Sequence, residues 1–252
     1  MTAAPPAIAL REVHKSFGAT KIIRGVSLAV PRGQRHAVIG PNGAGKTTLF
    51  NLISGRLTTT SGTIELNGAP VDGLPPHKIN RLGLARSFQI TSLFHRLSVF
   101  ENLRCALLWS RGYKYSFWHL LGRQHALNAE VERWLERLGL EDRRGVPAGL
   151  LSYAEQRALE IGVTIAGGAK VVLLDEPTSG MNRGEAERAV ELISEITRGK
   201  TLIMVEHDMN VVFGLAEIVT VLVYGQIIAS DVPARIRANP AVQEAYLGTK
   251  AA

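Results

Sequence analysis

The segment GPNGAGKT, residues Gly40–Thr47, has the spacing of a phosphate-binding loop. It matches the pattern G-x-x-x-x-G-K-[ST] and lies between an apolar run, HAVIG, and a helical pattern, KTTLFNLIS. Gly43 and Gly45 let the backbone approach phosphate oxygens closely, and a helix N-terminus offers unpaired N–H groups to an anion. Lys46 can reach the β- and γ-phosphates, and the Thr47 hydroxyl can ligate Mg²⁺. The predicted phosphate-binding residues are Gly40, Pro41, Asn42, Gly43, Ala44, Gly45, Lys46, Thr47 and Thr48.

A pair of acids follows the apolar run VVLLD in the segment VVLLDEP. Asp175 stands at the carboxyl end of that run, where open α/β sheets place their ligands, and a carboxylate there can hold Mg²⁺. Glu176 comes next and can polarise an attacking water. Two acids after a buried strand can also be simply polar residues where the strand reaches the surface. The phosphate-binding loop in the same chain favours the catalytic interpretation.

His207 follows a second apolar run, TLIMVE. Taken alone, a histidine just past a buried strand is more often structural than catalytic. It leaves the predicted sheet at the same edge as Gly40 and Asp175, however, so it can reach a γ-phosphate. There it would donate a hydrogen bond to the terminal phosphate or orient the water.

The segment LSYAEQR, Leu151–Arg157, has two interpretations. Ser152 and Glu155 have the spacing of a capping box at the start of a helix. The same residues can be half of a nucleotide site whose other half lies on a second molecule. The local sequence does not decide between a helix cap and a half-site.

These residues need a sheet to position them, and the apolar patterns predict one. IALREV, VSLAV and GTIELNG indicate early strands, and residues from about Thr91 to Gly149 are mostly helical in pattern, with Val131, Trp134, Leu135 and Leu138 on one helix face. The continuous apolar runs VVLLD and TLIMVE are typical of parallel strands covered on both faces. The helical segment RGEAERAVELISEIT between them completes a βαβ unit, and VTVLV-YG-QIIAS predicts a final hairpin.

The composition is that of a globular protein of 252 residues, and no apolar run is long enough to span a membrane. One cysteine, Cys105, allows no internal disulfide. The N-terminus lacks the features of a signal peptide, so we expect a cytoplasmic chain. The net charge of +7, from 29 basic and 22 acidic residues, is compatible with a phosphate-rich ligand, nucleic acid or anionic lipid, although a solvated basic surface explains it better.

The chain resembles the ATPase subunit of ABC transporters in the order of its motifs. These motifs are, along the chain, the phosphate-binding loop, SFQ, LSYAEQR, VVLLDEP and VEHD. The likeness covers nearly the whole chain. The segments RSFQITSLFHRLSVFENL, LSYAEQRALEIG and IRANPAVQEAYLG make it most similar to the larger ATPase subunit of branched-chain (hydrophobic) amino-acid importers. The resemblance implies an α/β fold, a P-loop NTPase core with an antiparallel β flank and an inserted helical subdomain. We expect a single ABC ATPase domain over residues 1–252, with the core at about 1–90 and 168–252 and the helical subdomain, including the signature, at about 91–167.

The resemblance also implies roles for individual residues. Phe17 falls where an aromatic ring stacks on adenine, and Gln89 where a glutamine ligates Mg²⁺ and senses the membrane subunit. Ser152 and Ala154 fall in the signature that touches the γ-phosphate of the opposing subunit. The segment TSGMN, Thr178–Asn182, falls at the loop linking the two sites.

For the chemical step, the resemblance makes Glu176 the base and His207 the switch residue. ATP and Mg²⁺ are the implied cofactors, with Thr47, Gln89 and Asp175 as the metal ligands. The chain departs from the family pattern at three positions: Tyr153 and Ala154 stand where the signature usually has glycines, and Asn182 stands where the linking loop usually has aspartate.

We therefore expect the ATP-hydrolysing subunit of an ABC importer, energising uptake of branched-chain or other hydrophobic amino acids or related small solutes. It would act at the inner face of the plasma membrane with separate permease subunits, a periplasmic solute-binding protein and a second, identical or homologous, ATPase chain arranged head to tail. One alternative is a non-transport ABC ATPase acting on nucleic acid or ribosomes; we do not expect it, because the chain has no coiled-coil insertion and no second cassette. The other is a regulatory module that does not hydrolyse ATP, against which Glu176 and His207 argue.

Overall fold

The computed structural model describes residues 4–87, 93–111 and 124–247. Its strands are β1 (Ile8–Phe17), β2 (Thr20–Val30), β3 (Arg35–Ile39), β4 (Ser61–Leu66), β5 (Ala69–Pro70), β6 (Leu84–Arg86), β7 (Val171–Asp175), β8 (Thr201–Val205), β9 (Ile218–Val223) and β10 (Gln226–Asp231). Its helices are α1 (Lys46–Ile53), α2 (Pro76–Arg81), α3 (Val99–Ser110), α4 (His125–Leu138), α5 (Tyr153–Ala166), α6 (Arg183–Ile196), α7 (Met209–Leu215), α8 (Pro233–Ala238) and α9 (Pro240–Leu247).

The chain forms two compact units. The first takes in Met1–Leu84, Lys170–Glu176 and Gly199–Ala252, and the second takes in Ala85–Ala169 and Pro177–Arg198. The predicted helical subdomain was residues 91–167, whereas the second unit also includes Pro177–Arg198, because α6 packs against α4 and α5. The helix that connects β7 to β8 therefore belongs to the second unit, and the domain limits given above stay a prediction.

One sheet of the first unit is antiparallel, with the strand order β2-β1-β4-β5. β1 pairs with β2 on one side and with β4 on the other. The buried side chains of β1, among them Ile8, Leu10 and Val13, face a core that they share with Leu49 and Phe50 of α1. The hydrophobic effect thus fixes the helix that follows the phosphate-binding loop against a rigid sheet.

The other sheet has the order β10-β9-β3-β8-β7-β6. β3 lies between β8 and β9 and is parallel to both, and β7 is parallel to β8. All five residues of β7 and all five of β8 are buried, as their continuous apolar sequences predict. β9 and β10 form the predicted antiparallel hairpin. Because β3, β7 and β8 are parallel, their carboxyl ends lie at the same edge, and each of the three predicted motifs begins there.

The second unit is helical. The predicted apolar face of α4 is confirmed, since its residues Val131, Trp134, Leu135 and Leu138 are all buried. The helix ends at Leu138, and the next residue, Gly139, has a left-handed backbone conformation. A Cβ placed on Gly162 of α5 would lie 2.5 Å from a methyl group of Leu138, so the two helices approach closely there. This packing fixes the C-terminal half of α5 against the end of α4.

Candidate functional site

The loop Gly40–Gly45 joins the end of β3 to the start of α1. Two of its glycines are required by space. A Cβ on Gly40 would lie 2.0 Å from the carbonyl oxygen of Leu222, and one on Gly45 would lie 2.8 Å from Ile23 Cδ1. Gly45 also has φ +102°, a conformation that L-residues with side chains rarely adopt. The loop can keep this path only with glycine at both positions.

The N-terminus of α1 is open to an anion. Its N-cap residue is Gly45, and no side chain caps it. By contrast, α5, α6 and α7 begin with Ser152, Asn182 and Asp208, whose side chains accept hydrogen bonds from backbone N–H groups. Helix N-terminal amides that lack a side-chain acceptor, at the positive end of the helix dipole, suit a phosphate group.

The Lys46 ammonium folds back over the loop. Its Nζ donates hydrogen bonds to the carbonyl oxygens of Gly40, at 2.7 Å, and of Pro41, at 3.0 Å. Burial lowers the pKa of Lys46, while the nearby carboxylates of Glu176 and Asp175 act in the opposite direction. The lysine is therefore hydrogen-bonded to the loop and within electrostatic reach of both acids, and a phosphate group can take over its hydrogen bonds.

The two acids leave β7 in different environments. Asp175 is the last residue of the strand and is 2% exposed, whereas the Glu176 side chain is 27% exposed. Glu176 has φ +47°, a left-handed conformation that a residue with a side chain adopts at a cost of about 1–3 kcal/mol. Its N–H donates to the carbonyl oxygen of Val205 at 2.9 Å, which holds the chain in this turn. The two adjacent carboxylates thus differ in their access to solvent.

His207 lies beside Glu176. Its Nδ1 is 3.9 Å from Glu176 Oε1 and 3.8 Å from Glu206 Oε2, and its side chain is 65% exposed. The Glu206 carboxylate is buried and accepts hydrogen bonds from the backbone N–H groups of His207, at 3.0 Å, and Asp208, at 3.5 Å. Glu206 thus fixes the turn that carries the histidine.

Phe17 ends β1 and is 49% exposed. The Lys15 ammonium lies 4.9 Å from the centre of its ring, an arrangement that allows a cation–π interaction. Lys15 Nζ also donates to the carbonyl oxygen of Thr58 at 2.8 Å, which restrains the lysine. An exposed aromatic ring held in this way can stack on a flat ligand.

At the start of α5 the capping box is present. Ser152 Oγ accepts from the Glu155 N–H at 3.3 Å, and the Glu155 carboxylate accepts from the Ser152 N–H at 2.8 Å. Arg143 Nε donates to the same carboxylate at 2.8 Å. This bond and those from Ser152 lower the pKa of Glu155 to about 2. The helix-cap interpretation of LSYAEQR is therefore confirmed.

Comparison with protein families decides the identity of the fold. A profile of ABC transporters matches residues 23–179, more than half of the chain. The chain belongs to the ABC transporter family. A second profile, of branched-chain amino acid ATP-binding cassette transporters, matches residues 226–252.

Relatives of known name support the same family. The chain is 36% identical over 250 residues to the high-affinity branched-chain amino acid transport ATP-binding protein LivG of Salmonella typhimurium, covering 96% of this chain and 98% of the relative. It is 35% identical over 252 residues to the corresponding protein BraF of Pseudomonas aeruginosa, with the same coverage. The predicted family, and its likeness to amino-acid transport subunits, are confirmed.

Solved structures of ABC cassettes have the same fold. A nucleotide-free ATP-binding cassette from an ABC transporter is 27% identical, with a TM-score of 0.82, over 95% of this chain and 98% of that one. A cassette in an ADP conformation is also 27% identical, with a TM-score of 0.83, over 96% and 98% of the two chains. The predicted fold class, an ABC ATPase, is confirmed. No helix in the part of the chain described here is long and apolar enough to cross a membrane.

The first unit of this ABC cassette brings together most of the predicted nucleotide-binding residues. The phosphate-binding loop, Asp175, Glu176 and His207 lie at one edge of one sheet, and Phe17 belongs to the same unit. Ser152 and Ala154 belong to the second unit. Gln89 lies outside the described residues, as does the whole of the aromatic segment YKYSFWHLLGR. The individual roles of these residues stay predictions.

The oxygen donors of the cassette fit Mg²⁺. Thr47 is exposed at the first turn of α1, and Asp175 supplies a carboxylate that acts electrostatically on the neighbouring Lys46. Among the described residues no group of three or more His, Cys, Asp or Glu side chains could hold a metal ion. In nucleotide sites Mg²⁺ needs only one or two protein ligands, because phosphate and water supply the rest.

Sequence reasoning missed the part played by Glu206. The signal was available, because an acid that ends an apolar run and precedes a histidine is placed to be buried. A buried carboxylate needs hydrogen-bond donors, and the nearest are the N–H groups of the residues that follow it.

Proposed function

We propose that this ABC cassette is the ATP-hydrolysing subunit of an importer for branched-chain or other hydrophobic amino acids or related small solutes. The observation that carries the hydrolytic part is the meeting of Lys46, Asp175, Glu176 and His207 at one sheet edge. The amino-acid part is supported by the names of the relatives and by the match of residues 226–252 to the branched-chain amino acid cassette profile.

In the proposed reaction, the N-terminal amides of α1 and Lys46 bind the phosphates of ATP. Thr47 and Asp175 would hold Mg²⁺, which supplies positive charge against the phosphate oxygens. The water oxygen bonds to the γ-phosphorus and gives a proton to Glu176, while the bond between the γ-phosphorus and the bridging oxygen breaks and ADP leaves with that oxygen. His207, beside Glu176, donates a hydrogen bond to the terminal phosphate.

The proposed assembly is a head-to-tail pair of cassettes, identical or homologous. In it, Ser152 and Ala154 of one chain meet the γ-phosphate bound by the other. Support comes from the exposure of Ser152, whose hydroxyl lies at the positive end of the α5 helix dipole. The pair would attach to separate permease subunits at the cytoplasmic face of the plasma membrane and act with a periplasmic solute-binding protein.

The hydrolytic proposal is tested by Glu176→Gln. The substitution keeps the size of the side chain and removes the proton acceptor, so we expect phosphate release to fall by about 10²–10⁴-fold while ATP binding persists. Glu65→Gln is a matched control, because the Glu65 side chain is 25% exposed, close to the 27% of Glu176, and pairs with Arg11 on the antiparallel sheet.

Turnover by Glu176→Gln within a few-fold of the wild type would contradict the assignment of the base. A wild-type chain that binds DNA with a steep salt dependence would instead favour the nucleic-acid alternative. Uptake of labelled leucine by vesicles containing the cassette with its permease subunits tests the substrate class.

A further inference from the structure

One face of α5 holds the loop that follows Glu176 along the chain. Tyr153 Oη donates a hydrogen bond to the carbonyl oxygen of Ser179 at 2.7 Å. Arg157 Nε donates to the carbonyl oxygen of Pro177 at 3.1 Å. Tyr153 and Arg157 are four residues apart and so lie on the same side of the helix. The two carbonyl oxygens are two residues apart in a single segment.

The two attachments differ in burial. Arg157 is 6% exposed and forms a buried ion pair with Glu160, with Nη1 and Oε2 2.7 Å apart. Removing this arginine would leave a charge buried without its partner, so the fold itself would suffer. Tyr153 is 54% exposed, and its ring covers little of the core. The tyrosine hydroxyl can therefore be removed with little effect on folding.

The loop is shaped to meet the tyrosine. Gly180 has φ +79°, and a Cβ on it would lie 3.2 Å from Tyr153 Oη. Beyond it, Asn182 Oδ1 accepts from the Glu185 N–H at 3.0 Å and caps α6. The segment Thr178–Asn182 thus has a fixed end at α6, and the Tyr153 hydroxyl holds its middle.

We propose that Tyr153 is a positioning residue that ties the loop Thr178–Asn182 to the first turn of α5, so that the two move together. The proposal rests on the proposed function for its consequence. In a head-to-tail pair, the start of α5 meets the nucleotide of the partner chain, whereas the loop continues directly from the catalytic carboxylates of its own chain. A hydrogen bond between them transmits a displacement at one nucleotide site to the other.

Tyr153→Phe removes only the hydroxyl. In the full-length chain without nucleotide, we expect hydrogen exchange at the amides of Ser179–Met181 to become faster by about 2–10-fold, the factor that corresponds to the net worth of one ordinary hydrogen bond. The thermal midpoint should stay close to that of the wild type. Tyr224→Phe is the matched control, because Tyr224 is 72% exposed in the turn between β9 and β10, remote in sequence from the loop. Unchanged exchange in Tyr153→Phe would overturn the tether.

The assembled transporter tests the consequence. We expect Tyr153→Phe to lower the Hill coefficient for ATP and to reduce kcat by about 2–10-fold, while the ATP affinity of the single chain is unchanged. Faster exchange with unaltered cooperativity would confirm the hydrogen bond and overturn its coupling role. If the wild-type transporter itself fails to hydrolyse ATP, the proposed function is refuted, and the exchange experiment still decides whether Tyr153 holds the loop.

Discussion

Lowering the pH should destabilise the first unit through a histidine remote from the proposed chemistry. His36 lies in β3 and is 1% exposed. Its Nε2 is 2.8 Å from Thr220 Oγ1, and its Nδ1 is 3.2 Å from the side-chain oxygen of Gln34. Burial lowers the pKa of His36 to about 4, because the protonated ring would lose its hydration there.

The sign and size of the change in unfolding free energy follow from this pKa. An unfolded chain has a histidine pKa of about 6.5, so between pH 6.5 and 4 the unfolded state binds more protons than the folded state, and stability falls as the pH falls. The full shift of 6.5 to about 4 corresponds to about 3 kcal/mol, lost by pH 4. At pH 5.5, the loss is about 1.4 kcal/mol, or about 3–6 °C in the thermal midpoint for a chain of this size.

The assay is thermal unfolding followed by far-ultraviolet circular dichroism between pH 7.5 and 5.5, a window above the titration of most carboxylates. His36→Gln serves as the non-titrating control, since an amide can still bond to Thr220, which itself lies 2.8 Å from Ser230 Oγ. We expect the wild-type midpoint to fall more steeply with acid than that of the variant. Equal slopes in the two proteins would refute the argument, whatever their midpoints at pH 7.5.

Substitutions at four positions test other parts of the site. Phe17→Ala should weaken ATP binding by about 1–3 kcal/mol, measured by titration calorimetry, while Phe17→Trp should retain it. Ser152→Ala and Asn182→Ala should each cost about 1 kcal/mol of stability as lost helix caps, but only Ser152→Ala should also abolish most ATPase activity of the assembled transporter. Ala154→Gly should change that activity little. Ala154→Asp should melt like the wild type and lose ATPase, because a carboxylate repels a phosphate; full activity would leave LSYAEQR as a helix cap only.

Much of the first unit follows from local sequence. β7 and β8 are continuous apolar runs, and only burial on both faces accounts for them. The hairpin of β9 and β10 is marked by Tyr224 and Gly225 between two apolar segments. Since the carboxyl ends of parallel strands meet at one edge, the grouping of Asp175, Glu176 and His207 near the phosphate-binding loop could also be predicted.

Two features could not be predicted, because they depend on contacts between distant segments. The left-handed conformation of Glu176 is held by a hydrogen bond to Val205, and nothing in the letters around Glu176 indicates it. The hydrogen bond from Tyr153 to Ser179 joins residues 26 apart in sequence. In the sequence, Tyr153 is only a departure from a glycine pattern; in the structure it is a donor with a specific acceptor.

The two interpretations of LSYAEQR are compatible because the helix cap and a phosphate would use different hydrogen-bonding groups of Ser152. A serine hydroxyl has one donor and two acceptor positions, and the cap uses Ser152 only as an acceptor, for the Glu155 N–H. Its O–H is left to donate, and a phosphate oxygen needs a donor. The Glu155 carboxylate would repel such an anion, but it is engaged by Arg143 and by the Ser152 N–H. The cap therefore holds the start of the helix in place without using the group that a partner's nucleotide would require.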